Sequence, residues 1–164
     1  LANKVVKEVV KEKDNFGKQN IGKNQKVMVE YSQPNPNKPL HIGHLRNDSI
    51  GITISNLLEF TSYNVIRSNL INDRGIHIAQ VMLAYKKWSK NKKPNKKPDH
   101  FIGDYYVLFH KKVNENQKFD VEAKEILKKW EEKDPETIAL WKKITKWCLD
   151  GIKETYKISA EKIG

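Results

Sequence analysis

The chain has 164 residues, 38% of them apolar and 31% charged, and 31 Lys plus Arg against 20 Asp plus Glu give a formal net charge of +11. One ordinary domain fits that length, and it can bury roughly 70% of the unfolded chain's surface, so a core without disulfides is within reach. The lone Cys148 excludes the small secreted disulfide scaffolds, and the absence of any apolar run near the ~20 residues of a membrane span, or of a signal-peptide core, predicts a cytoplasmic protein with no membrane partner.

Residues 1–25 carry six Lys and three acids. Val5, Val6, Val9 and Val10 recur there at helical spacing ahead of a polar, Gly-containing stretch at 15–24, which predicts the tail of a preceding domain leading into a linker. Over 26–32 the run KVMVEYS alternates, with Val27, Val29 and Tyr31 on one face and Met28 and Glu30 on the other, as in a strand. Three prolines in the following QPNPNKPL exclude a helix and most ladder pairing, so a loop follows.

The segment 41–60 predicts a helix, with Leu45, Ile50, Ile54, Leu57 and Leu58 at spacings of three and four, and Gly51 inside it marks close backbone packing. A second strand is expected over 63–71, YNVIRSNLI, and a second helix over 75–88 through Ile78, Val81, Met82, Tyr85 and Trp88. Strand, helix, strand, helix argues for a parallel α/β sheet. Residues 26–85 are nearly neutral, with five bases and four acids, whereas 86–98 hold seven Lys and no acid. Such a cluster reads either as a solvated connector or as a surface that touches nucleic-acid phosphates.

The aromatic run FIGDYYVLF, at 101–109, fits a strand or a helix equally. Two helices are expected to close the chain, the first capped by Asp120 with Ala123, Ile126, Leu127 and Trp130 on one face. The second has Asp134 as its cap and Pro135 at its first position, and buries a stripe of Ile138, Trp141, Ile144, Thr145, Cys148 and Ile152. Its tryptophans fall on the apolar period and therefore read as core. His77, His100 and His110 are scattered, share no metal-ligand spacing with Cys148, and read as structural or surface residues.

The chemistry concentrates in EYSQPNPNKPLHIGHLR, 30–46, between the first strand and the first helix. The crevice at the carboxyl ends of parallel strands is where such folds bind ligands, and a helix N-terminus offers free N–H donors and partial positive charge to a polyanion. His41 and His44, three apart, project from one side of that first turn, and Gly43 leaves room for a flat ring against the backbone.

HIGH at 41–44 resembles the signature of class I aminoacyl-tRNA synthetases, and the longer string, with Ser32, Pro34, Asn35 and Lys38 before it and Leu45-Arg46 after it, resembles the arginyl-tRNA synthetase family. INDRGIH at 71–77 is similar to that family's Asn-Asp-Trp-Gly segment, with Arg74 where tryptophan is commoner, and a looser likeness runs on through GDYYVLF and LWKKITKW. The resemblance implies the first half of a Rossmann-like parallel sheet with helices at 26–88, and a basic connector and mainly helical insertion at 89–164. It implies ATP and arginine as substrates, tRNA(Arg) as partner and Mg²⁺ accompanying ATP.

Residue by residue, it implies that Glu30, Asn35 and His41 bind arginine, that His41, Gly43 and His44 bind ATP, and that His41, His44 and Lys38 are catalytic. A carboxylate suits the five-donor fork of a guanidinium, and a lysine supplies a point charge for phosphate. Without the resemblance, Glu30 reads as an edge-strand charge, Asn35 as a turn residue, Lys38 as a loop lysine and the two histidines as a helix cap. No acidic cluster specifies Mg²⁺ ligands, and neither the family's second signature loop nor an anticodon-reading domain occurs. The expectation is a fragment of a longer arginine–tRNA ligase, inactive alone; the alternative is a noncatalytic synthetase-like module that binds RNA or a protein partner.

Overall fold

The computed structural model describes residues 2–158, so the last six residues of the 89–164 segment lie outside the description. An amphipathic helix α1 (Ala2–Glu12) with no buried residue leads through a 3₁₀ turn (Lys13–Asn15) to β1 (Lys26–Glu30), α2 (Ile42–Phe60) and β2 (Asn64–Ser68). Then come α3 (Ile76–Trp88), α4 (Pro98–Glu115), α5 (Lys118–Glu131) and α6 (Pro135–Ile158).

The two strands pair in parallel from Lys26 against Asn64 to Glu30 against Ser68. Parallel strands need a long crossover, and α2 supplies it. Both strands are shorter than their sequence patterns suggest. In β1 the pattern continues through Tyr31 and Ser32, but Ser32 (φ 72°) and Gln33 (φ 55°) are left-handed and turn the chain out of the sheet. Val27 and Val29 are half-buried and Met28 exposed, as the alternation requires. Across the unit, Arg67 of β2 donates to both carboxylate oxygens of Glu59, with Nη2 2.9 Å from Oε2, and ties the strand to α2.

The core lies in the helices. Eight consecutive residues of α3, Ile78 to Tyr85, are buried, which places α3 among α4, α5 and α6. The segment 101–109 is helical: Pro98 occupies the first turn of α4, and Phe101, Ile102, Tyr105 and Phe109 fall on one buried face. Asp120 is not a cap. α5 begins at Lys118, so Asp120 lies inside its first turn, where it pairs with Lys124 at 2.9 Å. Asp134 does cap, accepting the Thr137 N–H at 2.9 Å and the Thr137 hydroxyl at 2.6 Å, and these bonds hold its carboxyl below the usual carboxylate range.

The apolar residues of α2 keep the expected spacing but do not face inward. Asp48, Gly51 and Ser55 are its buried positions, while Leu45, Ile50, Ile54 and Leu57 are exposed. Gly51 is required there, because a Cβ would overlap the Tyr31 ring, itself 1% exposed. No helix among the described residues is long and apolar enough to cross a membrane.

Candidate active site

Parallel register makes both strands release their chains at the same edge of the sheet, and the loop from β1 to α2 starts there. Glu30 is exposed at this edge, and its Oε1 accepts the Gln33 side-chain amide at 2.6 Å. Beyond it, Pro34 and Pro36 are fully buried and hold Asn35, half-buried, between them. The Asn37 N–H closes this turn on the Asn35 carbonyl at 2.8 Å. Two rigid φ angles and two buried rings therefore fix the loop where Asn35 sits.

The next residues lean on the helical bundle. The carbonyl of Lys38 accepts the Cys148 thiol of α6 at 3.6 Å, and Gly103 of α4 lies so close that a Cβ would approach Pro39 Cδ to 2.7 Å. Burial keeps Cys148 a thiol, its pKa pushed up to about 12. Tyr106, one turn after Gly103, sits under Lys38, whose ammonium is 5.8 Å from the ring centroid and so within cation–π range.

His41 is the N-cap of α2. Its Nδ1 accepts the Gly43 N–H at 3.1 Å, and its own N–H donates to Nδ1 of His44 at 3.1 Å. The two rings lie 4.0 Å apart, and the ring that Gly43 admits is that of His41, 3.0 Å from where a Cβ would stand. A neutral imidazole whose Nδ1 accepts carries its proton on Nε2, which leaves that N–H of each ring as a donor. Burial, then His41 and Lys38, lower the His44 pKa against the opposing pull of Asp48, which keeps the ring neutral at pH 7. Capping and donating are compatible in these residues, because they use different nitrogens.

The INDRGIH segment leads from β2 into α3. Trp141 of α6 donates Nε1 to the Asp73 carbonyl at 2.8 Å, Arg74 pairs with Glu131 and lies 5.7 Å from the Trp130 ring centroid, and Gly75 (φ 137°) caps α3. His77 and His110 flank Tyr106 at 6.1 Å and 4.5 Å, while His100 starts α4 elsewhere. Among the described residues no three of His, Cys, Asp and Glu gather to hold a metal ion.

Four contacts have no signal in the sequence: Gln33 on Glu30, Tyr106 beneath Lys38, and Asn69 and Tyr156 on the start of the loop. Of these, only Tyr106 lies in a stretch marked by its aromatic content. The lysine cluster is also less free than its sequence suggests. Lys87 pairs with Glu122 at 2.6 Å, Lys96 with Asp104 at 2.5 Å, and Lys97 with buried Asp99 at 2.6 Å and with the Gly151 carbonyl.

A family model described as tRNA synthetases class I (R), catalytic domain, matches residues 5–161. Among curated proteins, the arginine–tRNA ligase of Borrelia turicatae is 48% identical over 158 residues, 94% of this chain and 27% of the relative. That of Treponema denticola is 49% identical over 162 residues, 96% of this chain and 28% of the relative. The chain thus spans little more than a quarter of the length of the curated relatives it matches. Among solved structures, Thermus thermophilus arginyl-tRNA synthetase superposes with a TM-score of 0.69 at 29% identity, over 80% of this chain and 21% of that one. With a match over nearly its whole length, on a βαβ unit whose crossover helix opens at HIGH, the chain belongs to the arginyl-tRNA synthetase family of class I catalytic domains.

Proposed function

We propose that this chain is the part of an arginine–tRNA ligase that binds ATP and arginine for formation of arginyl-adenylate, the activated amino acid that passes to tRNA(Arg) in cytoplasmic protein synthesis. In this reading 26–88 is the first half of the nucleotide-binding domain, 89–164 a connector and insertion, and 1–25 the end of a preceding domain. The observation that carries it is the histidine pair at the start of α2, whose two Nε2–H donors stand at the positive end of a helix dipole.

The arginine carboxylate attacks the α-phosphorus of ATP and pyrophosphate leaves, so negative charge grows on the phosphate oxygens. His41 and His44 donate to those oxygens, Gly43 makes room for the His41 ring beside the nucleotide, and Lys38 supplies a positive charge. Glu30 and Asn35 take the guanidinium of the substrate, which replaces the Gln33 amide on Glu30. The chain offers no cluster of metal ligands among its described residues, so Mg²⁺ is assigned to the phosphates of ATP and to no residue here.

The test is His44→Ala in the full-length ligase carrying these residues, read by arginine-dependent pyrophosphate exchange with ATP and tRNA. Exchange is expected to fall about 10²- to 10³-fold, the usual cost of one transition-state donor, while the fold survives. Unchanged exchange overturns the assignment. Salt-dependent tRNA binding without ATP binding would instead support a noncatalytic RNA-binding module, which the internal pairing of Lys87, Lys96 and Lys97 disfavours.

A further inference from the structure

The loop bearing Asn35 begins at two residues in an unusual backbone conformation, and two distant side chains hold it there. Ser32 (φ 72°) and Gln33 (φ 55°) are both left-handed, a region that residues other than glycine occupy only where their surroundings impose it. Ser32 is 3% exposed, and its Oγ lies 2.5 Å from Oη of Tyr156, 124 residues later on α6. Asn69, the first residue after β2, donates Nδ2 to the same Tyr156 oxygen at 3.2 Å. Its Oδ1 accepts the Gln33 N–H at 3.0 Å.

The amide of Asn69 therefore bridges the backbone of Gln33 and the hydroxyl of Tyr156. The hydroxyl in turn meets Ser32. Glu30 lies two residues before this clamp and Asn35 three residues after Ser32, so the clamp stands between the two groups proposed to take the guanidinium. Tyr156 is half-buried and its ring packs against the edge of the core, so Tyr156→Phe keeps that packing and removes only the hydroxyl. α6 packs into the core through Ile144, Cys148 and Ile152, at least one turn before it.

We propose that Tyr156 and Asn69 are positioning residues for arginine: through Ser32 and Gln33 they hold the left-handed turn that sets Glu30 and Asn35 at the spacing of one guanidinium. This deepens the functional reading above and rests on it. Because the clamp touches neither histidine nor Lys38, its loss acts on arginine binding and leaves ATP binding and the chemical step in place.

The experiment compares Tyr156→Phe, Ser32→Ala and the double variant in the full-length ligase, by pyrophosphate exchange with arginine and ATP varied in turn. Each single variant is expected to raise KM for arginine about fivefold, the effect of one lost hydrogen bond, with KM for ATP and kcat within about twofold of the unmodified enzyme. The double variant is expected to match the worse single variant, since both remove the same contact. Unchanged KM for arginine in Tyr156→Phe overturns the proposal. So does a parallel change in KM for ATP and kcat, which marks a general structural role, and so does a multiplicative double variant.

Where Tyr156→Phe does not fold, Asn69→Ala, which removes both amide contacts, is held to the same limits. If the unmodified enzyme shows no arginine-dependent exchange, the functional reading fails. If it is active and the variants leave KM for arginine unchanged, only the clamp fails.

Discussion

The bundle of α3 to α6 and the β1–α2–β2 unit dispose of apolar surface in opposite ways. Every residue of the clustered buried core, from Ile78 to Ile152, belongs to the four bundle helices. The sheet unit buries Tyr31 under Gly51 and sets polar Asp48 and Ser55 inside, while Ile54 stays 44% exposed and Leu57 61%. On the strands Met28 and Ile66 are exposed as well. The difference shows where the candidate site gets its rigidity: beyond the Asn69 contact from its own half, the loop between β1 and α2 is seated on α4 and α6.

Chemical denaturation breaks or confirms this contrast most directly. Ile144→Ala, at a fully buried bundle position, is expected to cost about 2–5 kcal/mol, whereas Ile54→Ala on α2 is expected to stay within about 0.5 kcal/mol. Equal costs would mean that the two regions are packed alike. Gly103→Ala tests the seam between them. The new methyl would press on Pro39, so a loss of about 1–3 kcal/mol is expected, together with faster amide exchange at Asn37. A loss of stability with exchange at Asn37 unchanged would show that the loop does not depend on α4.

The smallest effect belongs to the sheet unit and depends on pH. The His44 pKa is lowered in the folded chain from its usual 6.5, so the unfolded chain takes up this proton first as the pH falls. Stability is therefore complete above pH 6.5 and declines below it until the folded ring also titrates. Thermal midpoints measured from pH 7.5 down to pH 5 are expected to show this decline in the unmodified chain and to lose it in His44→Gln. The same slope in both would assign the effect to other groups.

The order of elements around the site is legible in the sequence because it depends on local signals. Alternation in KVMVE, the prolines after it and the HIGH turn place the loop before any contact is known. Gly51 reads as a close approach and is one, and Asp134 reads as a cap and is one. Asp120 shows the limit of that method, since an acid with helical spacing after it suits a first turn as well as a cap. The aromatic run at 101–109 is ambiguous locally, and burial against α3 and α6 decides it as a helix.

The face that α2 turns inward was not legible. Its apolar residues keep helical period, but contact with Tyr31 admits only Gly51 at the point of closest approach, so the small and polar side goes in. Nor is the pairing of Ser32 with Tyr156 legible, because nothing local links residues 124 apart.

Helix α6 has a consequence for evolution by insertion and deletion. Trp141, Cys148 and Tyr156 follow one another along it at steps of seven and eight residues, about two turns each, and meet the Asp73 carbonyl, the Lys38 carbonyl and the Ser32 hydroxyl. The helix works as a ruler with three marks, each read by a different stretch of chain. One residue added between Cys148 and Tyr156 would swing the last mark by ~100° and carry it ~1.5 Å along the axis, off Ser32, without disturbing the first two. The exposed side chains between the marks are free to vary, whereas the number of residues between them is not.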